Sequence, residues 1–472
     1  MSSVNEIVKN YLSKDKIVIT NREISSELHY LQINHLISHI NYKINLDFNE
    51  SMIIGTNFST PFFTNIKNAK IKLFNARFIG FSTQLFENIQ TNIDLINISI
   101  EKSSFESVSY IISMQNNIIC IKNFTISDSY FNNSALFGLH SCNIEFDTYT
   151  INNCQFIDSY LVYSVDQVSK IKNFHFSNSN VLNSKLFYIN GQASYMNSLE
   201  MENSIIYNLT GKNSYLISSD FFVGIEIEQV NFTNIQNVHL FNGPTTEIVI
   251  RNSSFSNCDF EHSFLLNIIG SSATISNIFI QNSSDMDSFL KIRSKNILLT
   301  NIRVSNSDSG HSLLSLDSGK SYLTDLDIFG SNNLGISLSN GLYNISRCSM
   351  SNIPVGIQLI SSKLSIFESK FKNLSKVGIS LDNKSLAYVS HNCHFNNAFA
   401  MNTTTNSSIS NLSIGENSGF IVRNTLYVSL NIEQEKSLMI DEIILFIIII
   451  ILSSILFRKF VHVSEYQKLP VV

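Results

Sequence analysis

The residues best placed for chemistry in this chain are a few aspartates and histidines. Asp285 and Asp308 fall at nearly one phase of a repeat, with Asp287 beside the first. Asp325 and Asp327 alternate as residues on one face of a strand do. Clustered carboxylates can do the acid and base work of glycoside hydrolysis. His311 follows Gly310 in the same region. Further on, His391–Asn392–Cys393–His394 brings three metal-ligating side chains together. On a strand, however, His391 and Cys393 share one face while His394 takes the other, which splits the ligand set. The aspartates read more simply as solvated turn residues. No catalytic residue, metal ligand or cofactor is assigned.

The six cysteines, Cys120, Cys142, Cys154, Cys258, Cys348 and Cys393, form no Cys-x-x-Cys pair of the kind that holds zinc. Only Cys120 and Cys142 lie about one repeat apart, as a disulfide between neighbouring units would require. Buried apolar thiols are the preferred reading for all six. Charge is sparse: 32 Lys and Arg stand against 37 Asp and Glu, a net charge of −5. No basic face for nucleic acid follows from that balance.

What must position these residues is a repeat. Apolar anchors recur at Phe78, Ile100, Ile126, Ile151, Phe176, Met201, Phe232, Phe255, Ile280, Val304, Ile328, Met350, Phe371, Phe395 and Ile414. The steps are roughly 19 to 31 residues, mostly near 24, a period that indicates a solenoid. Three residues before the anchor runs a polar column that includes Asn75, Asn97, Asn123, Asn173, Asn252, Asn277 and Asn301, with Asp325 in register. An apolar residue such as Ile98, Phe124 or Phe174 stands two before the anchor, which is strand periodicity. A second short strand follows, often opened by Ser, as at Ser134, Ser159, Ser184, Ser214 and Ser288. Turn residues then close the unit. Such units bury their apolar face only by stacking, at about 4.8 Å per coil. The expectation is an all-β, right-handed parallel β-helix of about fifteen coils, with the Asn column as a buried amide ladder.

Phrases such as Phe176–Ser177–Asn178, Phe232–Thr233–Asn234, Phe255–Ser256–Asn257, Phe371–Lys372–Asn373 and Phe395–Asn396–Asn397 carry a resemblance. The chain resembles right-handed parallel β-helices of the pectin-lyase-like type, and within them the Phe-x-Asn repeats of single-pass protist surface proteins. Enzymes of that type act on acidic polysaccharides. Here no second Gly and no Arg-x-Lys string completes the pectinase-type pattern around His311. The resemblance therefore implies a fold more than an activity.

The two ends differ from the repeat. Residues 1–57 lack it and suit a cap or lead-in, with 58–430 as the β-helix. Residues 431–442 read as juxtamembrane, 443–460 as a transmembrane helix and 461–472 as a short tail. Ile443–Phe457 carries no charge and is nearly all Ile, Leu and Phe, and flanking apolar residues extend it to spanning length. Glu433, Glu435, Asp441 and Glu442 precede the span and Arg458, Lys459 and Lys468 follow it. That bias places the tail in the cytosol and the β-helix outside the cell or in a lumen. No signal peptide opens the sequence, so the leader is expected to lie beyond it; a tail-anchored chain is the alternative. In the tail, Tyr466–Gln467–Lys468–Leu469 resembles a Tyr-x-x-hydrophobic sorting signal, with Tyr466 and Leu469 as its determinants. Among many Asn-x-Ser/Thr sequons, Asn282 and Asn383 are the exposed glycosylation candidates, whereas Asn97, Asn123, Asn252 and Asn411 fall in the proposed buried ladder. The functional expectation is a membrane-anchored surface or endolysosomal glycoprotein with a structural, adhesive or ligand-binding role. Its partners would be the lipid bilayer and glycans or another surface protein, with no nucleic acid. The alternative is a polysaccharide-active hydrolase or lyase.

Overall fold

The alternation that makes each strand breaks once in every turn, and that break shapes the molecule. In Ile118–Ser127, Ile119 and Ile121 are buried, Lys122 and Asn123 are both exposed, and burial resumes at Phe124 and Ile126. Asn123 has φ +51°. This left-handed conformation suits Asn better than most residues that carry a Cβ. One residue thus bends the strand and resets its inward phase. The same conformation recurs at Asn75, Asn97, Asn173, Asn252, Asn277, Asn301 and Asp325. A second corner, two residues beyond the bent strand's last buried anchor, uses Asp128, Asn153, Asn178, Asn208 and Asn257, and a third uses Asn133, Asp158, Asn183 and Asn213.

The computed structural model describes residues 44–403, apart from short gaps at 56–60, 65–66, 116–117, 141, 166–167, 191–197, 383, 390–392 and 397–398, together with 17–18, 23–24 and 422–423. It is an all-β parallel solenoid of about 12 turns, with no α-helix among the described residues. One turn runs through a long side, Ile118–Ser127, a short side, Tyr130–Asn132, and a return side, Ala135–His140. Each pairs in parallel with its equivalent in the next turn, as Ile126↔Ile151, Phe131↔Phe156 and Phe137↔Val162 do. Phe78, Ile100, Ile126, Ile151, Phe176, Phe255, Ile280 and Val304 all point into one continuous core. Rings stack within it along the axis, Phe131 on Phe156 at 4.6 Å and Phe371 on Phe395 at 4.7 Å.

Three expectations need correction. Met201 is not an anchor of the same phase. It pairs with Ile171 and Ile227, while Ile206 stands between Phe176 and Phe232. An insertion ahead of that strand lengthens the unit, and spacing alone could not locate it. The turn count is about 12 and not fifteen. The proposed anchor Ile414 lies outside the described residues, and the first turn closes on a strand of only two residues, Phe63–Thr64. Finally, the Asn ladder exists but is exposed. Asn97 donates from Nδ2 to Asn75 Oδ1 at 2.8 Å, Asn123 to Asn97 at 2.9 Å, and Asn301 to Asn277 at 2.9 Å, all along an outer edge. The left-handed bend turns these side chains outward.

The buried polar column is made of serine. After each second- or third-corner residue the next side chain points inward, and it is usually Ser. Ser159 Oγ donates to the Ile157 carbonyl at 2.6 Å and accepts from the Ser134 N–H at 3.2 Å. Ser184 Oγ donates to Leu182 O at 2.8 Å and accepts from the Ser159 N–H at 3.0 Å. Ser214 Oγ accepts from the Ser184 N–H at 3.2 Å. Corner backbone groups that face the core are thereby satisfied one turn away. Cysteines fill inner corner positions too, Cys154 and Cys258 after the second corner and Cys348 after the bend of the long side. The Cys154 N–H donates to Ser179 Oγ at 3.0 Å, Cys258 to Ser283 at 3.2 Å and Cys348 to Ser369 at 3.1 Å. All six thiols are free. Cys120 lies outward between buried Ile119 and Ile121, whereas Cys142 is fully buried, so the two sit on opposite sides of the wall.

Removing a corner hydroxyl strands an N–H in the core. Ser184→Ala is expected to lower unfolding stability by about 1–3 kcal/mol, the cost of an unsatisfied buried donor. Ser184→Cys should cost less, since thiols already occupy inner positions at other corners of the wall, at Cys154, Cys258 and Cys348. Denaturant melts of both variants check this, and equal losses would contradict it.

Candidate functional site

The outer face of the return side carries two columns of side chains, and their sizes define the site. The first column reads Tyr160, Lys185, Tyr215, His239, Phe264, Ser288, Ser312 and Leu334. The second reads Gly138, Tyr163, Tyr188, Ser218, Asn242, Asn267, Lys291, Ser315, Ser337 and Gln358. Early turns present rings. Tyr160 and Tyr188 lie 5.3 Å apart, Tyr163 and Tyr188 5.4 Å, and Tyr110 and Tyr163 5.8 Å. Gly138 makes this possible, because a Cβ there would meet the Tyr110 ring. Lys185 Nζ sits 4.4 Å from the Tyr188 ring centre, and the Tyr188 hydroxyl donates to Asp220. Burial, then that carboxylate, pushes the Tyr188 phenol well above its ordinary value, and burial likewise raises Tyr110 and Tyr160. These phenols stay neutral donors.

The first column changes from ring to hydroxymethyl after Phe264 and the second from long chain to hydroxymethyl after Lys291, and the surface sinks. The result is a groove of about 430 Å³ between Phe264 and Lys291 at one end and Leu334, Ser337 and Gln358 at the other. Ser288 and Ser312, hydrogen-bonded to each other at 3.2 Å, and Ser315 form its floor. Asp287 and His311 stand on its edge. Lys291 Nζ lies 4.3 Å from the centre of the Phe264 ring.

The aspartates singled out from the sequence therefore disperse. Asp287 and His311 do come together, but through the backbone: the His311 N–H donates to the Asp287 carbonyl at 3.1 Å. Asp308 accepts instead from the Asn332 N–H at 2.8 Å and its side-chain amide at 3.1 Å. The side chain of Asp285 lies outside the described residues. Asp325 accepts from Arg347 at 2.6 and 2.8 Å, and this guanidinium holds its carboxyl below the usual range. Asp327 pairs with Arg303 at 3.3 Å. Among the described residues Asp287 is the one carboxylate lining the groove, and no acid and base pair of them faces it.

Of the His391–His394 string, Cys393 is buried and His394 half-buried, while His391 and Asn392 lie outside the described residues. No cluster of three or more metal-ligating side chains occurs among the described residues. The thiols are poor nucleophiles: burial pushes Cys154 and Cys258 up to about 12. Asn282 is exposed at a corner with φ +50°, and Asn383 lies outside the described residues. Tyr466, Leu469 and the apolar span 443–460 also lie outside them, and no helix among the described residues is long and apolar enough to cross a membrane.

A second depression, of about 470 Å³, follows the outer Asn edge from Asp128 to Asn208. Its groups bond one another, Asn153 to Asp128 at 2.6 Å and Asn208 to Asn178 at 3.0 Å, so it reads as part of the wall. The groove residues Phe264, Lys291, Ser315, Ser337 and Gln358 escaped the sequence reading. A table of outward residues at fixed phase would have found them, since only that column reports side-chain size turn by turn. Comparison with protein-family models, with curated proteins and with solved structures gives no match to this chain. The class is therefore defined by geometry: a parallel β-solenoid with a polar, shallow, single-carboxylate groove on one flank.

His239 links the rings to the groove. It is 6% exposed, stacked beside Tyr215 and Phe260, and its Nδ1–H donates to the Phe264 carbonyl at 2.6 Å. Burial lowers its pKa below 6.5, more than the carbonyl raises it. The unfolded chain then binds the proton more readily, so this contribution is present above about pH 6.5 and is lost as pH falls through it. Thermal midpoints measured from pH 8 to pH 5 should fall more steeply in the native protein than in His239→Gln. Parallel curves would contradict this.

Proposed function

We propose that this protein is a membrane-anchored, non-catalytic binding rod at the cell surface or in endolysosomes, with an adhesive or receptor-like role. The observation that carries the binding role is the groove. It offers hydroxyls, an amide, one aromatic wall and a single carboxylate, and so has contacts for a polar ligand without a pair of carboxylates to cleave one. Anchorage rests on the sequence: the apolar stretch Ile443–Phe457 with acidic residues before it and Arg458–Lys459 after it. Glycans or another surface protein are the partners that suit such a flank. The likeness to pectin-lyase-like and protist surface β-helices rests on the Phe-x-Asn phrases, and for the hydrolase or lyase alternative no second carboxylate lines the groove among the described residues.

In this reading the β-solenoid is lumenal or extracellular, the tail is cytosolic, and Tyr466–Leu469 addresses the chain to endolysosomes. With a tag after Val472, protease added outside sealed microsomes should remove the tag and leave the solenoid intact. Asn282 should carry a glycan, lost in Asn282→Gln. Survival of the tag with digestion of the solenoid would mean a tail-anchored protein and would sink the surface reading.

A further inference from the structure

We infer that the return-side groove binds a neutral, extended oligosaccharide lying along the rod axis; this rests on the binding role proposed above. The ligand class follows from the groove's chemistry. Asp287 and Lys291 bring opposite charges to its edge, leaving no surplus of positive charge to attract a polyanion such as a uronate polymer. Hydroxyls dominate the remainder: Ser288, Ser312, Ser315 and Ser337 can each donate one hydrogen bond and accept others, as can the Gln358 amide. A polyhydroxylated ligand needs that mixture of donors and acceptors, and a purely anionic or purely apolar ligand does not. Phe264 closes one end of the groove as an apolar wall, with Lys291 Nζ 4.3 Å from its ring centre, so a sugar there meets an aromatic edge beside a cation.

Shape gives the direction and length. From the turn of Phe264 through those of Ser288, Ser312 and Leu334 to that of Gln358 the lining crosses four coil spacings, about 19 Å at 4.8 Å each. The two columns run in the same direction, so a ligand that meets their side chains turn after turn lies across the strands and along the axis. One coil spacing is close to the length of one ring in an extended glycan, so successive sugars would meet chemically similar serines in successive turns. The ring-bearing turns from Tyr163 to Phe264 continue the same two columns and can extend contact beyond the groove.

The test uses the full chain in detergent and saturation-transfer NMR with cellopentaose, maltopentaose and chitopentaose as neutral probes and a galacturonate pentamer as the charged one. At least one neutral pentamer should show transfer, and the galacturonate should not. Two variants localise the contact. Ser312→Leu fills the floor, and the equivalent residue one turn on is already Leu334, so the wall accepts that side chain. Asp287→Asn changes an edge residue. Each should weaken binding tenfold or more, while Tyr322→Ala, outside the groove on the long side, should not. Binding by the galacturonate alone, binding by no pentamer, or neutral binding untouched by both groove variants would overturn the inference. Shortening of a bound pentamer would instead overturn the non-catalytic reading and leave the location of binding to the variants.

Discussion

Everything in this molecule depends on how a chain turns a corner while keeping its backbone satisfied. At most second and third corners a left-handed residue, most often Asn, faces outward, and the next residue faces inward, usually with an Oγ or Sγ. That atom returns to a carbonyl two residues back in its own turn, and where it is a serine it receives an N–H from the neighbouring turn, as between Ser134, Ser159, Ser184 and Ser214. Without the inner hydroxyl, each corner would leave donors buried beside the hydrophobic core, at a cost of roughly 1–3 kcal/mol for each group. Repeated through about 12 turns, the device fixes register and so brings every outward column into line.

Alignment of the columns is what makes a site possible. Because equivalent residues stack about 4.8 Å apart, the flank's relief is a direct reading of side-chain size along the sequence. Tyr163 and Tyr188 raise it, Gly138 admits the Tyr110 ring, and Ser288, Ser312 and Ser315 lower it. The same rule spreads charge. Lys170 meets Glu200 at 2.7 Å and Arg77 meets Glu101 at 2.8 Å across neighbouring turns, so ion pairs neutralise the long side while the return side stays hydroxyl- and amide-rich.

Most of the fold was legible in the sequence because its signals are local and repeated. Phe78, Ile126 and Phe255 announce the inward phase, and the recurrent Asn three residues earlier announces the bend. The burial of that Asn was not legible, because stacked amides look alike inside or outside a wall until φ is known. Met201 misled for a related reason: an insertion shifts phase, and both Met201 and Ile206 are apolar residues in the same strand. The site was barely legible. Asp287 and His311 were noticed, but Asp308 was grouped with Asp285 by phase although Asn332 holds it elsewhere. Phe264 and Ser312 carry no motif. Their meaning comes only from what stacks beside them.

The corner hydrogen bonds can be read one at a time by amide hydrogen exchange. The account requires the N–H groups of Ser134, Ser159 and Ser184, which lie at turns and outside the strand ladders, to exchange as slowly as those of core residues such as Ile151 and Phe156. Exchange at those three positions as fast as at exposed loop amides would contradict it.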